Sequence, residues 1–164
     1  MARPVQDLGG PLQYRVEPRS GATWVALDGN INEVTDFAPL YKLQGPLVVD
    51  LGEVERINSL GVRNWIGFVH HIESMGLALT VERCPPVMVS QMSMISNFMG
   101  HSSRVKSALA PYLCPSCKHE HLQLVEIAPG GASIIGAKLP CPKCQTPMEL
   151  DELPETYTLL FPAA

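Results

Sequence analysis

Long hydrophobic runs are missing from this sequence: no stretch approaches the roughly 18–20 apolar residues of a membrane-spanning helix. The opening segment, MARPVQDLGGPLQYRVEP, has an early arginine but no apolar core, so no secretory leader is expected. Positive charge is also scarce. Twelve Lys and Arg stand against sixteen Asp and Glu, for a net charge of −4 and a pI near 5.7. That balance gives no whole-chain electrostatic reason to expect nucleic acid or an anionic membrane as a partner. Internal repeats, low-complexity tracts and a Gly-rich phosphate loop are absent. So is any recognisable pairing of a nucleophile with a base, and the expectation is that the chain is not an enzyme. Nor does it have the composition of a disordered protein, since 46% of its residues are hydrophobic. The expected compartment is the cytoplasm, where thiols stay reduced.

Five cysteines in a reducing compartment point to metal rather than disulfides, and their spacing carries the argument. Cys114-Pro115-Ser116-Cys117 and Cys141-Pro142-Lys143-Cys144 form a double CxxC separated by 23 residues. Each two-residue gap lets one tight turn aim two sulfurs at the same ion, and four thiolates close a tetrahedron around Zn²⁺. A redox pair would call for a βαβ setting, which is absent around residues 114–144. A catalytic zinc would need an open position, which four cysteines fill. His119 and His121 lie near enough to compete, but a full thiolate set needs neither. Between the knuckles, His121 to Ile127 alternates apolar and polar residues, Pro129-Gly130-Gly131 makes a turn, and Ala132 to Ala137 is a second β-like run. This predicts a hairpin, hence a zinc ribbon, with Tyr157 to Phe161 as a third strand. The residue after each CPxC is often Gly in such knuckles; here Lys118 and Gln145 stand there.

The chain thus divides near Ala110-Pro111, into a cysteine-poor part over 10–110 and a zinc-ribbon module over 111–164. The second part holds three Lys against six Asp and Glu and has no basic stripe, which argues against a nucleic-acid-binding ribbon.

In the first part, Leu12–Glu17 and Thr23–Leu27 read as paired strands around the Pro18–Gly21 turn. Thr35–Lys42 is a short helix candidate. Leu47–Leu51 is a continuous apolar run, as in a strand covered on both faces. A polar loop over Gly52–Arg56 leads to Asn58-Ser59-Leu60-Gly61, which looks like a helix N-cap. Val62, Trp65, Ile66, Val69 and Ile72 follow at helical spacing to about Met75, and Gly76 stops the helix. Leu77–Val81 is another strand, and Pro85-Pro86 opens a second helix through Phe98-Met99, ended by Gly100. In that helix Met88, Met92, Ile95 and Met99 form a core stripe, with Met94 and Phe98 beside it. Val105–Leu109 reads as strand or helix. Cys84 is expected to be a buried thiol, and His70, His71 and His101 to hold surface or helix-end positions.

Three segments resemble the STAS domain of bacterial anti-sigma-factor antagonists. Gly29-Asn30-Ile31-Asn32-Glu33-Val34-Thr35 is similar to that family's G-E-[LI]-D-x-x-T. Val48-Val49-Asp50-Leu51 with Ile57-Asn58-Ser59-Leu60-Gly61 is similar to its V-x-D-L…[FI]-[DN]-S-[ST]-G. Cys84-Pro85-Pro86-Val87 with Asn97-Phe98-Met99-Gly100 resembles its closing x-x-P-x-V…G segment. The resemblance implies an α/β fold: a mixed β-sheet with helices packed on one side. It also implies that Ser59 is the phosphorylation site of a partner kinase, with Asn58, Gly61 and Asn32 in the same docking surface. A hydroxyl at a helix N-terminus suits that role, because a phosphate there meets free N–H groups at the positive end of the dipole. Asn58 and Asn32 stand where the family has Asp, and Leu60 replaces a second hydroxyl.

The expected function is therefore a non-catalytic regulatory module that docks a protein partner, an anti-sigma factor or a kinase, with one structural Zn²⁺. The alternatives are a STAS-like sensor of a small ligand or nucleotide, and a nucleic-acid-binding ribbon.

Overall fold

The computed structural model describes residues 4–162. Six strands form one sheet in sequence order: β1 (Gln6–Asp7), β2 (Gln13–Arg19), β3 (Ala22–Ile31), β4 (Leu47–Ile57), β5 (Leu79–Glu82) and β6 (Arg104–Val105). β1, β2 and β3 are antiparallel neighbours, whereas β3, β4, β5 and β6 run parallel. The fold is thus a mixed α/β arrangement. Parallel neighbours need crossovers, and three supply them: a 3-10 turn over Ala38–Lys42, α1 (Ser59–Ser74) and α2 (Pro86–Met94).

Period-two alternation explains the burial of the central strand. Leu47, Val49 and Leu51 of β4 share one face and are all but fully buried, and α1 sends Trp65, Phe68, Val69 and Ile72 into the same core. Asp50, on the opposite face, is buried as well. Arg83 Nε reaches its two carboxylate oxygens at 2.9 and 3.1 Å, and the Gly52 N–H donates to it at 2.9 Å. A buried carboxylate is stable only when paired and hydrogen-bonded in this way.

A second, antiparallel sheet is formed by β7 (Ser107–Leu113), β8 (Glu120–Glu126), β9 (Leu139–Pro140) and β10 (Pro147–Leu150), ordered β8-β7-β10-β9. β7 continues the line of β6, and its start still bonds to the first sheet: Ala108 bridges Cys84, the Cys84 N–H donates to Ser107 O, and the Leu109 N–H donates to Cys84 O. Residues 110 and 111 lie inside this strand. The last helix, α3 (Pro154–Thr158), is pinned by Tyr157, whose buried hydroxyl donates to Leu109 O at 2.7 Å. Its ring belongs to the same hydrophobic cluster as Trp65 and Leu47.

Five sequence expectations are corrected. Residues 52–56 are not a polar loop but the second half of β4, paired with β3 through register shifts after Ala26 and Gly29. α2 stops at Met94 rather than running to Met99. Ile95 is extended, and the chain then folds back so that Phe98 is buried within 6.1 Å of the Trp65 ring. Residues 131–136 form a 3-10 turn and not a strand, and the 157–161 tail is the end of α3, to Thr158, followed by a turn, rather than a third strand. No hairpin forms between the knuckles, because β8 takes its partner from before the first knuckle, β7. No helix among the described residues is long and apolar enough to cross a membrane.

Candidate metal centre and the surface around Ser59

The two CxxC turns meet because β7 and β10 are paired. Cys114 follows β7 directly, and the Leu139–Leu150 segment carries Cys141 and Cys144 back beside it. The turns have matching hydrogen bonds. In the first, the Cys114 N–H donates to His119 O and Cys114 O accepts from the Lys118 N–H. In the second, the Cys141 N–H donates to Thr146 O and Cys141 O accepts from the Gln145 N–H. Lys118 and Gln145 sit at φ 64° and 65°, the left-handed conformation for which such knuckles commonly use Gly. The curl turns backbone donors toward sulfur: the Cys117 N–H lies 3.4 Å from Cys114 Sγ and the Lys143 N–H 3.4 Å from Cys141 Sγ.

The four sulfurs all lie within 4.8 Å of one another, with Cys114–Cys144 at 3.5 Å and Cys117–Cys141 at 3.6 Å. A tetrahedron with metal–sulfur distances of about 2.3 Å has edges of about 3.8 Å, so the cluster is of a size that could hold one metal ion. Cys114 and Cys141 are buried and Cys117 and Cys144 exposed, so the site lies at the surface with two ligands rooted in the core. The Thr146 hydroxyl, 3.3 Å from Cys144 Sγ, is the first cause lowering that thiol to about 6. His119 and His121 are outside the cluster, and His121 Nε2 is 3.1 Å from Gln123 Oε1. Cys84 is fully buried, and desolvation pushes its thiol well up, which leaves it inert.

The other set of residues singled out in the sequence also comes together. Asn58 is the N-cap of α1, its Oδ1 accepting from the Gly61 N–H at 2.8 Å. Ser59 is the first helical residue. It is exposed, and its hydroxyl makes no hydrogen bond among the described residues. Gly61 is buried where α1 crosses the end of β3, and a Cβ there would collide with the Ile31 carbonyl oxygen. Asn32 lies next to that carbonyl, and its Oδ1 accepts from the Val34 N–H at 3.1 Å. Asn64, one turn into α1, donates to Asn32 O and Thr35 O, which fastens the loop to the helix.

Two contributors were not legible in the sequence. Glu33 Oε2 accepts from Asn58 Nδ2 at 2.7 Å, and that bond is the main cause lowering the Glu33 carboxyl below its ordinary value. The partners are 25 residues apart, so no spacing rule would join them. Val34 and Leu60 are 54% and 52% exposed, an apolar pair on the two segments that flank Ser59. Farther along α1, His71 stacks on Tyr41 at 3.7 Å, and a polar cleft of about 350 Å³ opens beside Asp36, Arg63 and Gly67.

No protein-family model matches the chain, and no curated protein matches it.

Proposed function

We propose that the chain is a non-catalytic regulatory interaction protein that docks a protein partner through the surface around Ser59, under control of phosphorylation at that residue. The observation that carries this reading is the free Ser59 hydroxyl at the N-terminus of α1, beside exposed Val34 and Leu60. An apolar surface around a modifiable hydroxyl is suited to a switch. Phosphate adds about −1.5 to −2 charge at neutral pH, next to the carboxylate that Glu33 holds against Asn58. A partner resting on Val34 and Leu60 would then lose its apolar contact to a doubly anionic group. The resemblance to STAS anti-sigma-factor antagonists suggests an anti-sigma factor or a kinase as that partner.

In the same reading the four cysteines hold one structural Zn²⁺, with no position left for a substrate. In the C-terminal part, Glu152 shares a cleft of about 340 Å³ with Pro86, Val87 and Ile57, the residue before Asn58. The test is a pull-down with the wild type, Ser59→Ala and Ser59→Asp, alongside intact-mass analysis of protein from its own cells. A partner held by wild type and Ala but lost with Asp, together with a mass gain of one phosphate, is the expected result. Equal retention by all three would leave Ser59 as no more than the exposed first residue of α1, and the switch would fail.

A further inference from the structure

A further cavity among the described residues is unrelated to either site above. It is a groove of about 740 Å³ at the β6 edge of the first sheet, between the chain that follows α2 and the chain that follows α3. A smaller hollow of about 140 Å³ adjoins it, and the two share Met92, Met99, Leu159 and Leu160. The combined floor is apolar and rich in methionine, a side chain that reshapes itself to what it contacts.

The groove has a polar side, set by strand geometry. Arg104 and Lys106 are two residues apart in extended chain, so they leave the backbone on the same side, with Thr80 beside them in register with Arg104. Val105, between them, is partly buried against the hydrophobic core and lines the same groove with Met92 and Met99. Both cations line the groove, and no carboxylate among the described residues does. Lys106 has an ion-pair partner, Glu82 at 3.6 Å, while Arg104 has none among the described residues. Ser103, also in the lining, has a buried hydroxyl without a hydrogen-bond partner among the described residues. In a chain of net charge −4, an unpaired guanidinium, an unsatisfied hydroxyl and an apolar trough thus converge on one place.

We infer that this groove binds a long-chain carboxylate, the alkyl chain lying along Met92, Met99, Leu159 and Leu160 and the carboxylate meeting Arg104. The volume lies within the range of small-molecule sites, which is roughly 300–1,000 Å³. An added peptide strand is a poorer fit. β6 is two residues long, and the carbonyl of the next residue, Lys106, already accepts from the Ile127 N–H, so the edge has few free backbone groups to offer.

The experiment uses the full metal-loaded chain and titrates it calorimetrically with dodecanoate below its micellar concentration, then with dodecanol and dodecyltrimethylammonium. Dodecanoate is expected to bind at one per chain, at least tenfold more tightly than either comparator. Arg104→Gln should weaken dodecanoate at least tenfold and leave dodecanol unchanged. Leu159→Glu, at a position 70% exposed and so tolerant of substitution, should weaken both. Absence of saturable binding, or equal binding of the cationic amphiphile, overturns the proposal. Binding that survives both substitutions overturns the assignment to this groove.

Discussion

Asn58 shows how one side chain can serve two neighbours at once. Its oxygen caps α1 through the Gly61 N–H, and its amide nitrogen donates to Glu33 at 2.7 Å. An aspartate would keep the cap but lose the donor, and would set a second carboxylate against Glu33. The Asn at this position is therefore matched to Glu33. Asn58→Asp is expected to lower the melting temperature at neutral pH, and adding Glu33→Gln should restore most of the loss. The deficit should shrink as pH falls through the carboxylate range, because protonating either acid removes the repulsion. Thermal melts of the wild type, Asn58→Asp, Glu33→Gln and the double variant at pH 7 and pH 4 check this; no recovery in the double variant would mean the two groups do not interact. The exposed Ser59 hydroxyl belongs to the same scale. Sequence alone placed it at the helix start, but only burial and hydrogen bonding decide whether such a hydroxyl is free.

Among the elements, the knuckles bear a local cost that sequence had already marked. A left-handed conformation costs an L-residue roughly 1–2 kcal/mol, and Lys118 and Gln145 both adopt it. Glycine would relieve that, while giving back about 0.5–1 kcal/mol through the greater freedom of the unfolded chain. Lys118→Gly and Gln145→Gly are each expected to stabilise the metal-bound form by a net of about 0.5–1 kcal/mol. The readout is slower zinc transfer to a competing chelator, and unchanged or faster transfer in both variants would contradict it. α2 teaches a different lesson. The 88, 92, 95, 99 spacing is helical throughout, yet the helix stops at Met94 because extended Ile95 lets Phe98 turn in toward Trp65. Periodicity records which residues are buried, and a folded-back loop can bury them as well as a helix can.

At the level of the whole molecule the question is how far the influence of an ion in the four-cysteine cluster would extend. β7 joins the first sheet at Cys84, carries Cys114 at its end, and pairs with both β8 and β10. Removing the ion should therefore release the two knuckles with β9 and β10, where few apolar residues replace its contribution. The Leu109 N–H, bonded to Cys84 O in the main core, and the amides of β4 should keep their protection. Amide exchange with and without a strong chelator measures this residue by residue. Equal loss of protection in β4 would show that the chain unfolds as one unit, governed by the metal.

What the sequence determined by itself was local: the four-cysteine cluster, because two CxxC turns can each present paired sulfurs; the span of α1, because its cap, apolar stripe and terminal Gly76 all lie within one element; and the β2–β3 pairing. What the tertiary structure decided depended on distant partners. The chain after the first knuckle pairs backward with β7 instead of forming its own hairpin, since a strand's alternation shows which face is buried but not which neighbour covers it. The tail that reads as a strand instead ends a short helix and turns, held to the core where the Tyr157 hydroxyl donates to Leu109 O, 48 residues away. The Glu33–Asn58 bond and the groove beside Arg104 exist for the same reason: both join segments whose nearness in space is set by the folded sheet and not by any spacing along the chain.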